Sequence, residues 1–279
     1  MTEQAVLVRD DGPVRTLTFN RPAQLNAWTF EMGDRYFDLL DEAEADPEVR
    51  VIVVTGAGRG FCAGMDADSL AVSAGGVKRV PGKGRQMTHA VTIAKPVIAA
   101  VNGPCAGLGL VQALACDIRF MAASAVVTTS FTRRGLNAEY GASWLLPRII
   151  GQTRAAELLL SGRRVGAAEA ERIGLVNWVV PDAELLSRVA EYACDVAANC
   201  SPAAMADTKR QLFGDWTRTL DESLSYAKLI GHQAGHRQDF AEGVASLRER
   251  RPPRFKGLDP ALLGPDAGLP ADVRKERET

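Results

Sequence analysis

The sequence predicts an α/β protein with a helical appendage, and three observations carry that expectation. Short, wholly apolar runs such as "VIVVTG" and "PVIAAVNG" have the length and composition of strands buried on both faces. Stretches of helical period alternate with them, giving strand–strand–helix units up to about residue 200. Beyond Pro202 the strand signals stop and only helical patterns continue, so a core of α/β type precedes an all-helical region.

The elements follow in order. "AVLVRDDGPVRTLTFN" is two β-type runs around the turn "DDGP", a hairpin by its punctuation. Thr29 can cap a helix whose apolar positions Phe30, Phe37, Leu40 and Ala43 recur at helical spacing. "VRVIVVTG" is a buried strand ending in glycine. "AVSAGGVKRVPGKG" suits neither period and reads as a loop. "PVIAAVNG" is a second buried strand, "AGLGLVQALACD" a helix opened by glycines, and "IRFMAAS" a third strand. Thr153 to Ile173 is helical, "LVNWVV" is another strand, and "DAELLSRVAEYACDVAANC" is an amphipathic helix with Asp182 as its cap and "SP" closing it. Two or three helices then run to about Arg250, before "RPPRFKGLDPALLGPDAG" dissolves into proline and glycine. The expected organisation is a core over residues 1–200, a helical region over 201–257, and a disordered tail over 258–279. No internal repeat is strict enough for a solenoid.

Composition narrows the function. In 279 residues, 46% are apolar and 24% charged, enough for one continuous core. A formal charge of -1 offers no basic field for nucleic acid or an anionic membrane. No run approaches ~18 apolar residues, so no membrane span is expected. The five cysteines, at 62, 105, 116, 194 and 200, form no Cys-x-x-Cys pair, and an odd count without a secretory signal points to reduced thiols in a cytoplasmic protein.

Two glycine-rich turns stand out. "TGAGRGFCAGMD" follows the strand ending at Val54, and "VNGPCAGLGL" follows the strand ending at Val101. Either alone is most often just a tight turn. A dinucleotide fingerprint is excluded for the first, because Phe61 follows Gly56, Gly58 and Gly60 and the third glycine is missing at the required offset. Side by side, the two would supply converging backbone N–H donors, which is what an oxyanion hole needs. A third stretch, "SFTRRGLNAEYGASW", poses a different question. Glu139 and Arg148 are the only charged residues between Leu136 and Ile150, so Glu139 is either a solvent-facing carboxylate serving a helix start or an acid/base in an apolar pocket.

Together, "FNRPAQLNAW", "VIVVTGAGRGFCAGMD", "KPVIAAVNGPCAGLGLVQALACDIRF", "WLLPRIIGQTRAAELLLSGRRVGAAEAERIGLVNWVV" and "ERRPPRFKG" resemble the enoyl-CoA hydratase/isomerase, or crotonase, family over about residues 5 to 257. The resemblance implies a crotonase-like repeated ββα superhelix, a C-terminal helical region that forms trimers, commonly paired into hexamers, and an acyl-CoA thioester substrate. It implies no metal and no redox cofactor, coenzyme A being part of the substrate. The oxyanion-hole donors fall on the amides of Met65 and Leu108, flanked by Gly64 and Gly107. The turn around Gln24 and Leu25 and the segment Ala63 to Asp66 correspond to places that hold the CoA moiety. Lys256 resembles a basic residue near the CoA phosphates, or is an exposed tail lysine.

Hydratases of the family use two glutamates, and those positions here are Val111 and Phe131, neither of which can move a proton. Glu139 matches the single acid of the family's isomerases, although Tyr140 stands where relatives often have glycine. Flanked by Phe131, Leu136, Tyr140 and Trp144, its carboxyl is expected to be desolvated, with a raised pKa. Isomerisation of an enoyl-CoA is therefore the leading reading. Hydration or dehydration using Glu139 with a water, or with Asp66 or Asp68, is a second, and a non-catalytic acyl-CoA binder is a third. Asp66 and Asp68 read more simply as helix-start residues. His232 and His236 have zinc-compatible spacing but lack a third ligand. Cys62, Cys105 and Cys116 read as small buried apolar residues. Lys78 to Arg85 reads as a mobile lid or a solvated loop.

Overall fold

The structure, a computed structural model, describes residues 4–74 and 84–263. In chain order it contains β1 (Val6–Asp11), β2 (Val14–Phe19), α1 (Phe30–Ala45), β3 (Val51–Gly56), α2 (Ala67–Ala74), β4 (Val97–Val101), β5 (Cys105–Ala106), α3 (Leu108–Ala115), β6 (Ile118–Ala122) and β7 (Val126–Thr128). Then follow α4 (Ala142–Ile150), α5 (Gln152–Ser161), β8 (Val165–Gly166), α6 (Ala167–Arg172), β9 (Trp178–Val180), α7 (Leu185–Asn199), α8 (Pro202–Gly214), α9 (Leu220–Ala234) and α10 (Gln238–Glu249). Among the described residues the larger sheet has the order β1-β2-β3-β4-β6-β9, parallel except for the β1–β2 hairpin. A small second sheet runs β5-β7-β8.

The hairpin pairs Asp11 with Val14 across Gly12, whose φ of 55° suits a glycine turn. Every residue of β3 and β4 is buried, which explains why both read as unbroken apolar runs. The side chain of Thr29 accepts the Met32 N–H and starts α1, which turns Phe30, Met32, Tyr36, Phe37, Leu40 and Ala43 into the core. Phe19, Trp28, Tyr36 and Phe61 meet there edge to face, with ring centroids 5.1 to 5.9 Å apart.

Three expectations need correction. The stretch Thr153–Ile173 is not one helix. Gly162, at φ 56°, ends α5, and Val165–Gly166 pairs with β7 before α6 begins. Asp182 does not cap α7, because its carboxylate takes the Ser124 N–H at 2.9 Å and the Ser124 hydroxyl, pinning the β6–β7 turn instead. Residues 258–263, expected in the tail, are folded. Leu258 is buried against Ala203 and Ala206, and Pro260–Leu262 form a 3-10 turn. Residues 264–279, and the supposed lid up to Lys83, lie outside the described residues. Arg85 pairs with Asp38 at 2.6 Å and Asp41 at 2.9 Å.

The α8–α10 segment is joined to the core by a buried lysine. Lys209 on α8 donates to Asp117 at 2.7 Å and to the carbonyls of Ala90 and Lys95 at 3.0 and 3.2 Å, while Asp117 also accepts the Val97 N–H at the head of β4. Removing one member of such a pair leaves the other charge desolvated without a partner. Lys209→Ala should therefore lower stability by about 3 kcal/mol, read as a fall in Tm of roughly 6–10 °C. An unchanged Tm would mean that the pair contributes nothing.

Candidate active site

The site begins where the first glycine turn leaves β3. Two asparagine side chains hold that turn. Asn26, fully buried, donates to the carbonyls of Ala57 and Gly60 at 2.9 and 2.7 Å. Asn102 donates to those of Gly56, Gly58 and Gly60 at 2.8, 3.0 and 3.2 Å. Both asparagines lie inside the quoted motifs, yet nothing in spacing or composition marks them as braces. Gly56 and Gly103 admit no side chain, since a Cβ on either would sit 2.1 Å from a carbonyl oxygen of this turn.

The second turn packs directly on the first. The amides of Phe61 and Cys62 both reach the Pro104 carbonyl at 3.2 Å, and the Ala106 amide reaches the Cys62 carbonyl at 3.0 Å. Gly109 lies so close to Cys62 that a Cβ there would approach its carbonyl oxygen to 2.2 Å. On the other side the chain from Leu25 to Trp28 is stitched to residues 63–66. Ala63 donates to Leu25 at 3.0 Å, Trp28 to Gly64 at 2.7 Å, and Asp66 to Trp28 at 2.9 Å. The amide of Met65 takes no part in this stitching. It has no acceptor among the described residues, and neither has the amide of Leu108, the first residue of α3. Gly107, at φ 50° and ψ −118°, makes the abrupt entry into α3 that leaves the Leu108 amide open.

Met65 and Leu108 border one small cavity of ≈ 50 Å³ together with Ala63, Gly64, Gly107, Phe131 and Glu139. Leu70, Thr129, Ser130, Arg134, Leu136 and Tyr140 complete its lining, none of them anticipated as a cavity residue except Leu136 and Tyr140 as neighbours of Glu139. Among the described residues, Glu139 is its one carboxylate and Arg134 its one cation. Glu139 is half-buried in the turn before α4, and its carboxyl has no hydrogen-bond or ion-pair partner among the described residues. Burial alone pushes its pKa above the ordinary carboxylate value. Val111 is fully buried on α3, behind the lining, and Phe131 presents an apolar face to it.

The remaining sequence candidates lie elsewhere. Trp144 does not border the cavity. It stacks edge to face on Trp216, centroids 4.6 Å apart, with the Arg148 guanidinium 4.3 Å over its ring. The sequence could not show that a residue five positions beyond Glu139 points outwards, because α4 begins between them. Gln24, exposed, and Leu25, whose carbonyl serves Ala63, sit beside the first turn but outside the lining. Asp66 is committed to Arg21 at 3.1 Å and to the Asp68 amide at 3.1 Å, and Asp68 is exposed on α2. Lys256 is exposed in a separate groove with Arg237 and Asp259. His232 and His236 stack on each other at 5.0 Å, and no group of three or more metal-binding side chains occurs among the described residues. Burial raises the thiol pKa of Cys62 to about 12, so it stays protonated. No helix among the described residues is long and apolar enough to cross a membrane.

Two braced glycine turns thus bring Met65 and Leu108, whose amides have no acceptor among the described residues, to the lining of one cavity. Comparison with known proteins agrees with the architecture. A family model described as enoyl-CoA hydratase/isomerase matches residues 10–258. A 1,2-epoxyphenylacetyl-CoA isomerase of Escherichia coli K12 is 35% identical over 250 residues, covering 88% of this chain and 95% of that protein. A probable enoyl-CoA hydratase of Mycobacterium leprae is 38% identical over 270 residues, covering 90% of each. The crystal structure of an enoyl-CoA hydratase from Polaromonas sp. JS666 superposes with a TM-score of 0.85 at 32% identity, over 91% of this chain and 100% of that one. The chain belongs to the enoyl-CoA hydratase/isomerase family, and its fold is the crotonase-like one the motifs implied.

Steric closeness of the two turns yields a paired test. Gly109→Ala should cost about 2–3 kcal/mol, because a backbone carbonyl has to move. Gly231→Ala, at an exposed position within α9 with open space around it, should leave stability equal or raise it by up to about 1 kcal/mol. Equal Tm values for the two variants would contradict the packing described.

Proposed function

We propose that the chain migrates a carbon–carbon double bond in an enoyl-CoA thioester, with Glu139 as the sole proton carrier. The observation that carries this reading is that, among the described residues, Glu139 is the only carboxylate lining the cavity that Met65 and Leu108 share. A thioester carbonyl seated against those two amides becomes more acidic at its α-carbon, because the negative charge of the enolate falls on an oxygen already facing N–H donors. Glu139, ionised, takes a proton from C2 of a 3-enoyl thioester. The electron pair spreads over a dienolate, and the protonated Glu139 returns the proton at C4, leaving a 2-enoyl thioester. Atoms and charge balance without metal or redox chemistry. Desolvation suits the carboxyl to both halves, since a raised pKa makes it a stronger base and still allows it to give the proton back.

Water addition is disfavoured by Val111 and Phe131, which supply neither a base for water nor a second acid, and by Asp66, whose charge Arg21 already holds. The relatives' names include an epoxyphenylacetyl-CoA isomerase and a probable enoyl-CoA hydratase, so overall similarity does not choose the reaction; the residues in the cavity favour isomerisation. Ala63 and Gly64, with the Gln24–Leu25 turn behind them, are proposed to seat the pantetheine arm. Leu212, Leu224, Phe240 and Leu247 are exposed on α8–α10 and support a trimer-based assembly, with hexamers formed by pairing.

Glu139→Gln should lower kcat for 3-enoyl-CoA isomerisation by about 10²–10⁴-fold while leaving acyl-CoA affinity nearly unchanged. In the wild-type enzyme the base must be ionised, so kcat/KM should fall as pH drops through a midpoint above 4.5, the ordinary value. That acid limb should be missing from the residual activity of the variant. The substitution removes a partly desolvated charge whose folded-state pKa is raised, so at neutral pH it should not lower Tm. Full turnover by Glu139→Gln, or binding without turnover by the wild type, would defeat the proposal.

A further inference from the structure

Five non-glycine residues among those described have left-handed backbone: Leu25, Asn26, Ser130, Tyr140 and Arg250. Such a conformation disfavours any residue with a Cβ, and an outlier retained at a site calls for a reason. Asn26 uses it to aim its amide at two carbonyls, Leu25 closes a 3-10 turn, and Arg250 ends α10. Tyr140, with Gly141, makes the turn that the Ala142 N–H closes on the Glu139 carbonyl at 3.0 Å, a turn that needs a left-handed backbone but not a tyrosine side chain. Its phenol makes no hydrogen bond among the described residues, and Gly141, at φ 80°, follows it in the same left-handed region. A glycine at 140 would make this double turn more easily.

What the side chain at 140 does is border the cavity. Tyr140 immediately follows Glu139 and lines the same space as Phe131 and Leu136, while 36% of its surface stays exposed. Burial, and after it the charge of Glu139, raises the phenol's pKa, so the ring that borders the cavity is neutral. We infer that Tyr140 is a specificity-determining residue whose ring closes the cavity just beyond Glu139 and restricts the enzyme to short acyl groups. This rests on the proposed function in one respect, that Glu139 faces the C2–C4 carbons, so that the residue next to it meets the chain beyond them. The backbone strain is then the cost of holding a bulky wall at that point. A flexible side chain would swing aside for a longer acyl group, whereas a phenol with two side-chain torsions on a fixed turn does not.

The test compares Tyr140→Gly and Tyr140→Phe with the wild type on straight-chain 3-enoyl-CoAs of increasing length. Tyr140→Gly removes left-handed strain and should fold with an undiminished Tm. It should raise the ratio of kcat/KM for long over short substrates by at least about 10-fold, mainly through KM, while Tyr140→Phe should keep that ratio within about twofold. An unchanged ratio in Tyr140→Gly would overturn the inference. So would a shift in Tyr140→Phe as large as in the glycine variant, since the hydroxyl rather than the ring would then be the determinant. Calorimetric Kd values for saturated acyl-CoAs of the same lengths separate the two readings. If the wild type isomerises none of the substrates, the proposed reaction fails, yet a length dependence of Kd that disappears in Tyr140→Gly would still support the wall, and its persistence would reject it.

Discussion

The carbonyl of Cys62 rests against α3 at a point where only Gly109 allows it, and the remainder of the site depends on that contact. Because a Cβ at 109 would lie 2.2 Å from the oxygen, the first residues of α3 and the chain after Gly60 are held face to face. The same closeness lets Ala106 bond Cys62 and brings Gly64 against the Ala106 carbonyl. Two turns that are 45 residues apart in sequence thereby act as one rigid piece. What they enclose is defined by what they leave unbonded, the amides of Met65 and Leu108.

Charge placement around the cavity follows a consistent logic. Acids near the site divide into those already partnered and one that is not. Asp66 pairs with Arg21 at 3.1 Å, and Asp38 and Asp41 pair with Arg85 at 2.6 and 2.9 Å. Glu139 alone faces apolar neighbours, where burial favours the neutral form and raises its proton affinity. No ion pair ties its carboxyl among the described residues, as the proposed proton transfer requires. The C-terminal helices reach the core through Lys209, whose charge is balanced by Asp117 at the head of β4. The helical region is in this way anchored to the strand that feeds the second glycine turn.

Much of this was legible from the residues, and the misses share physical causes. β3 and β4 were readable because both faces are buried, leaving no polar position to blur the pattern. β5, β7 and β8, two or three residues each, are shorter than any period that could reveal them. The break between α5 and α6 turns on Gly162 and a two-residue strand inside a helical pattern, so local propensity was overruled by a tertiary pairing. Motif resemblance located Met65, Leu108 and Glu139, yet it could not tell which neighbours face inwards. Trp144 is one helical turn into α4 and stacks on Trp216, while Arg134 and Ser130, unremarked in the sequence, line the cavity. Asn26 and Asn102 act on carbonyls distant in the chain, contacts to which periodicity is blind.

The account's central claim is that one oxygen of the substrate is held by two main-chain amides while one carboxyl stands over the adjoining carbons. A crystal structure of the enzyme with a non-isomerisable saturated acyl-CoA tests it most directly. The thioester oxygen should lie at about 2.7–3.2 Å from the amide nitrogens of both Met65 and Leu108, with the Glu139 carboxyl facing C2 to C4. An acyl-CoA whose carbonyl touches only one of these amides, or whose C2–C4 segment lies away from Glu139, would contradict it.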